Sequence, residues 1–285
     1  MQFINPKTDF AFKKIFGSSE NKNILKSFLN ALIYQGQPII EDLEIIDPAL
    51  SSKISGLKDT YLDVKAKIND GKTVIIEMQV LNVSSFAKRV IYNAAKTYAT
   101  QLGRGEGYSK LKPVIALTIT DFEMFGNNQK VISHFLFKET DDLFDYPDPE
   151  IELFFVELPK FNKNLEELET ITDKWIYFMK NAPSLEIVPE KMGEISEIQQ
   201  AFAIANEANL SREELEDLEK REMVIEDQRN LILRGRQEGR QEGLEEGMRK
   251  KALEIAKQFL NVVDDQTISQ KTGLTLDDIQ QLRQG

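Results

Sequence analysis

Residues 61–80 read YLDVKAKINDGKTVIIEMQV, and the rest of the chain is organised around them. Leu62, Val64, Ala66 and Ile68 alternate with Tyr61, Asp63, Lys65 and Lys67; Val74, Ile76, Met78 and Val80 alternate with Thr73, Ile75, Glu77 and Gln79. A period of two predicts two strands, each with one face on a core. Asn69-Asp70-Gly71 supplies the turn, with glycine free to take positive φ. A hairpin folded symmetrically about Asp70 sets Asp63 opposite Glu77 and Tyr61 opposite Gln79. Like charges directly across a ladder destabilise a sheet. A divalent cation between the two carboxylates is the simplest compensation, and hard oxygen ligands suit Mg²⁺ or Mn²⁺. The same residues also suit the solvated face of an exposed hairpin, and a slip of one residue would put them on opposite faces.

Asp63, thirteen intervening residues and then Glu77-Met78-Gln79 resembles the active-site hairpin of the PD-(D/E)XK nuclease superfamily, with Gln79 where many members carry Lys. The opening INPKTDFAFKKIFG, the later TYATQLGRGEGYSKLKPVIALTITDF and the tail RGRQEGRQEGLEEGMRK resemble one bacterial branch of it, the recombination-promoting nuclease (Rpn) or transposase family. The resemblance covers essentially the whole chain. It implies a three-layer, restriction-endonuclease-like α/β core, a mixed sheet flanked by helices, followed by an α-helical C-terminal region. It further implies Mg²⁺-dependent (or Mn²⁺-dependent) hydrolysis of DNA phosphodiesters, serving recombination or defence against foreign DNA. Asp63, Glu77 and the backbone carbonyl of Met78 become the metal ligands. Gln79 can orient a water but offers no charge. Lys65, two residues from Asp63 on the same strand face, is the first candidate for the missing ammonium, and Lys96 the second. Asp9 and Lys13 on the first helix, and Tyr98 and Gln101 after the hairpin, are auxiliary candidates. The alternative is a DNA-binding or assembly protein that keeps the nuclease fold with little or no catalysis. A transposase would need strand-transfer chemistry that these residues do not display.

With no cysteine, the chain has no disulfide, thiolate nucleophile or Cys-based zinc site. Its one histidine, His134, lies in an apolar stretch and reads as structural. No signal-like apolar core and no run long enough to cross a bilayer is present, so a cytoplasmic, membrane-free protein is expected. The net charge of −11 is unevenly spread. Residues 1–130 carry 17 Lys+Arg against 13 Asp+Glu, residues 131–285 carry 19 against 34, and residues 51–112 carry 11 against 5. The hairpin therefore sits in the one basic segment of an acidic chain, where a polyanion such as DNA is attracted.

Along the chain, Asp9 can cap a helix ending at Gly17, and residues 21–34 form a second helix. The polar strip SSKISGLKDT precedes the hairpin. Ser84 and Ser85 offer caps for a helix over 86–102, on which Arg89, Asn93, Lys96 and Thr100 form a polar stripe opposite Phe86, Val90, Ile91, Ala94, Tyr98 and Leu102. Residues 113–120, PVIALTIT, read as a strand buried on both faces. Residues 131–137 and 151–158 are further strands, and 164–181, 191–208 and 212–261 are helical. The expected divisions are 1–182, the nuclease-like domain; 183–234, a helical extension; 235–250, a glycine-repeat linker or weak helix; and 251–285, a small helix-turn-helix-like tail. Gly235, Gly239, Gly243 and Gly247 recur every four residues; they suit a flexible linker or a smooth stripe for a second helix, so homo-oligomers through the C-terminal helices are an open expectation. In the tail Ile268, Leu274, Leu276, Ile279 and Leu282 should face inward, while Asp277 and Asp278 make it a poor DNA reader.

Overall fold

The hairpin is the centre of a six-stranded sheet in the computed structural model, which describes residues 2–50 and 60–284. The strands are β1 (Glu44–Ile46), β2 (Ala49–Leu50), β3 (Thr60–Tyr61), β4 (Val64–Lys67), β5 (Thr73–Gln79), β6 (Val114–Thr120), β7 (Ile132–Phe135) and β8 (Ile151–Glu157). The helices are α1 (Asp9–Phe16), α2 (Lys22–Ile33), α3 (Phe86–Ala99), α4 (Ile171–Asn181), α5 (Glu190–Gly193), α6 (Ser196–Ala205), α7 (Arg212–Phe259), α8 (Asp265–Thr272) and α9 (Leu276–Gln284). The sheet order is β1-β4-β5-β6-β8-β7, with β5, β6 and β8 parallel and the others antiparallel, while β2 and β3 pair separately. Most of the strip 51–60 lies outside the described residues.

Register follows the alternation. Val64 pairs with Ile76, Lys65 with Ile75, Ala66 with Val74 and Lys67 with Thr73. Asp70 and Gly71 close the turn at φ of 61° and 77°, the left-handed region that glycine enters freely and Asp tolerates. Val64, Ala66, Val74 and Ile76 then share one face with Ile115, Leu117, Phe154 and Val156, packed under α1, α2, α4 and α6 around Phe12, Phe28 and Trp175. Ile75, Val114, Ala116 and Phe155 point to the other face, covered by Ala94, Val90 and Phe86 of α3. Every residue of β6 is buried, because both of its faces meet a helical layer. The result is a three-layer α/β core.

Several boundaries differ from those the pattern suggests. Thr8, not Asp9, caps α1: its side chain accepts the Ala11 N–H, which makes Asp9 the first helical residue. Tyr61 pairs with Ala49 in the small β2–β3 sheet instead of lying opposite Gln79. Helix α3 stops at Ala99, and the span read as one helix over 191–208 breaks between α5 and α6. On α3 the expected faces are mixed. Asn93, Lys96 and Thr97 are buried, whereas Ile91 is exposed.

The chain divides into two compact units, Met1–Ile225 and Glu226–Gly285. Helix α7 is continuous through the four-residue glycine repeat. In the second unit Ala256, Ile268, Leu274 and Ile279 form a small core, with Asp264 capping α8 and Gly273 turning the chain at φ of 75°. Leu276, expected inward, is exposed, because Thr275 and Asp278 cap α9 reciprocally and orient its first turn outward. A Cβ added at Gly235, Gly239, Gly243 or Gly247 meets no atom within 4 Å. Each Gly→Ala exchange is therefore expected to stabilise α7 by roughly 0.5–1 kcal/mol and to raise the helical circular dichroism signal. A loss of helicity would show that the glycines serve a close helix contact.

Candidate active site

The ladder between β4 and β5 ends in a bulge at Asp63. Val64 pairs with Ile76, and the Asp63 N–H is also directed at the Ile76 carbonyl, at 3.2 Å, so two residues of one strand stand opposite one of the other. A bulge reverses the alternation beyond it. Leu62 accordingly packs on the α3 side with Ile75, while Val64 packs on the α1 side. The Asp63 carboxylate takes the place of the next ladder bond: its Oδ2 accepts the Met78 N–H at 2.6 Å. In a strand the N–H and C=O of one residue point to the same edge. The Met78 carbonyl thus faces the side that β4 has vacated.

Helix α1 brings Asp9 against this group, and the two carboxyls share a hydrogen bond. Burial pushes the Asp63 carboxyl up to about 7, opposed by the Met78 N–H and reinforced by the hydrogen bond and charge of Asp9. Burial also acts to raise Asp9, but its hydrogen bonds to Lys13 and Asp63 and the charges of Lys13 and Arg221 hold it below the usual value. Lys13 Nζ lies 2.6 Å from Asp9 Oδ1, and Arg221 Nη1 lies 2.9 Å from Oδ2. Below about pH 7, therefore, Asp9 keeps the negative charge and Asp63 the proton.

Glu77 belongs to the opposite layer. It is 8% exposed and points at α3, where Asn93 Nδ2 donates to its Oε1 and Arg89 Nε lies 3.5 Å from its Oε2. Arg89 Nη2 also donates to Gln79 Oε1, and Gln79 Nε2 donates to the Leu81 carbonyl at 2.8 Å. The Arg89 guanidinium lies over the Phe86 ring at 5.2 Å, and Phe86 is set edge-on against Phe122. Asn93 Oδ1 is buried and has no hydrogen-bond partner. The expectation that Asp63 and Glu77 face each other on one side of the ladder is thus corrected. The bulge turns Asp63 toward the strand edge and α1, while Glu77 keeps the α3 side.

The other candidates separate. Lys65 stands opposite Ile75 one step inside the bulge, and Lys96 is buried on α3 with Nζ 6.0 Å from the Tyr92 ring. Gln101 clamps the Lys112 backbone, accepting its N–H at 2.9 Å and donating to its carbonyl at 2.8 Å. Tyr98 is hydrogen-bonded to Glu150, its hydroxyl pushed up by burial and by that carboxylate. Both hold the connection into β6 and β8. His134 stacks on Phe154 at 3.9 Å and meets Glu152 at 2.9 Å, a packing role. The residues missed by sequence reading are Arg89 and Asn93. Their four-residue spacing, following Glu77 and Gln79, was the available signal.

Among the described residues no three His, Cys, Asp or Glu side chains stand together as a metal centre. Two hard oxygens, the Asp63 carboxyl and the Met78 carbonyl, lie where β4 leaves β5, whereas the Glu77 carboxylate stands on the α3 side with Asn93 and Arg89. Oxygens of this kind are the donors that hard divalent cations take.

A mixed sheet between helical layers, with an acidic residue at a bulged strand end and a Glu-x-Gln strand beside it, defines an α/β fold of the PD-(D/E)XK nuclease type. The family model described as PD-(D/E)XK nuclease family transposase matches residues 6–235. The chain belongs to that family, whose chemistry is of the nuclease type and typically uses divalent metals. No curated protein and no solved structure gives a match. No helix among the described residues is long and apolar enough to cross a membrane.

Proposed function

We propose that the protein is a metal-dependent DNA endonuclease that hydrolyses phosphodiester bonds, in recombination or in defence against foreign DNA. The observation that supports this most is the bulge: it places the Asp63 carboxyl and the Met78 backbone at one strand edge, next to the strand that carries Glu77. Asp63, Glu77 and the Met78 carbonyl would hold Mg²⁺. A bound divalent ion polarises the phosphoryl oxygen and makes water easier to ionise. In the hydrolysis itself a water oxygen bonds to phosphorus, and the bond from phosphorus to the leaving sugar oxygen breaks with its electron pair. The proton lost by the water and the one gained by the leaving oxygen exchange with solvent. In the metal-free protein Asp9, held ionised by Lys13 and Arg221, keeps Asp63 at the strand edge through the proton they share, a proton that metal binding would displace. The basic segment 51–112 attracts the polyanion.

A second reading, a DNA-binding or assembly protein with the fold alone, is favoured by the uncharged Gln79. Supercoiled plasmid incubated with purified protein separates the two. The endonuclease reading expects nicking with Mg²⁺ or Mn²⁺ and none with chelator. Plasmid binding without nicking in either metal supports the second reading.

A further inference from the structure

We infer that Arg89 of α3 is the cationic group that contacts the scissile phosphate, in the role that an uncharged residue at position 79 cannot fill. This rests on the endonuclease reading above. The guanidinium is anchored on three sides: Nη2 to Gln79 Oε1, Nε beside Glu77 Oε2 at 3.5 Å, and its plane over Phe86. A guanidinium carries five N–H donors in a planar fork. Binding Gln79 and Glu77 through Nε and Nη2 therefore leaves donors for a phosphate, whose geometry the fork matches. Its side chain is 44% exposed, so a substrate can reach it. By contrast Lys13 is tied to Asp9 at 2.6 Å, and Lys96 is only 5% exposed.

The same contact accounts for glutamine at position 79. Its Oε1 accepts a hydrogen bond from Arg89 while its Nε2 is satisfied by the Leu81 carbonyl. A lysine there has no acceptor and would set an ammonium against the guanidinium. Gln79 and Arg89 are thus a matched pair: the charge sits on the helix and the strand residue holds it in place.

Single-turnover nicking of supercoiled plasmid at saturating Mg²⁺, beside a Mn²⁺ titration, tests this on full-length wild type, Arg89→Ala and the double variant Gln79→Lys/Arg89→Ala. Arg89→Ala is expected to lose about 10²- to 10³-fold in nicking rate, as for removal of one donor to a developing charge. Its Mn²⁺ affinity stays unchanged. The double variant, with an ammonium restored on the strand, recovers roughly tenfold or more of that loss. Nicking by Arg89→Ala at the wild-type rate overturns the inference. So does a loss matched by an equal loss of Mn²⁺ affinity with no recovery in the double variant, since Arg89 would then only position Glu77. Wild type that fails to nick at all rejects the endonuclease reading itself, and the role of Arg89 with it.

Discussion

Asp63→Asn is expected to make the metal-free protein more stable while ending its cleavage of DNA. The Asp63 carboxyl lies in contact with Asp9 and is pushed up to about 7, from an ordinary 3.8, by burial and by that neighbour. The sign follows from which state holds the proton. Between those two values the folded chain keeps a proton that the unfolded chain has released, so stability falls as pH rises across this window and stays low above it. Asparagine reproduces the protonated form without the penalty: Oδ1 still accepts the Met78 N–H and Nδ2 can donate to Asp9. The gain at pH 8 in chelator is on the order of 2–4 kcal/mol, taking 1.36 kcal/mol per unit as an upper guide for groups that titrate together. Below pH 4 it vanishes. Urea midpoints of wild type and variant at the two pH values measure it. A variant no more stable than wild type at pH 8 would show that ionising Asp63 costs the metal-free fold nothing.

Glu77→Gln is expected to lower Mg²⁺-dependent nicking by on the order of 10³-fold or more, equivalent to about 4 kcal/mol in the barrier. The exchange preserves shape and leaves an amide oxygen for Asn93 Nδ2, so the thermal midpoint should hold. What disappears is the charge of the carboxylate that β5 presents to α3. The burial of Glu77 and the unpaired Asn93 Oδ1 next to it are costly for a purely structural residue. An unchanged nicking rate in a folded Glu77→Gln protein would remove Glu77 from the reaction.

The hairpin was legible because two strong local signals agree: alternation from Leu62 to Val80 and a turn at Asp70-Gly71, which together fix the pairing of Val64 with Ile76. The bulge at Asp63 was not. It arises when one side chain bonds the Met78 N–H in place of the next ladder bond, and no periodicity records that exchange. On α3 the polar stripe was visible in the sequence, but a stripe buried against Glu77 has the same spacing as one facing solvent. Only the contact itself shows that Asn93 and Lys96 point inward. Tyr98 and Gln101 were drawn toward the site by resemblance, and their hydrogen bonds go to Glu150 and Lys112 instead. The glycine repeat shows that local propensity is a weak prior: each glycine costs about 1 kcal/mol, more than the roughly 0.2–0.5 kcal/mol of any one charged i,i+4 pair, yet α7 runs through all four.

The most direct test is a calorimetric Mn²⁺ titration of wild type, Asp63→Asn and Glu77→Gln. One site is predicted in wild type and none in either variant, since the ion needs a charged oxygen from both the strand edge and the α3 side. Equal binding by all three proteins would contradict the account.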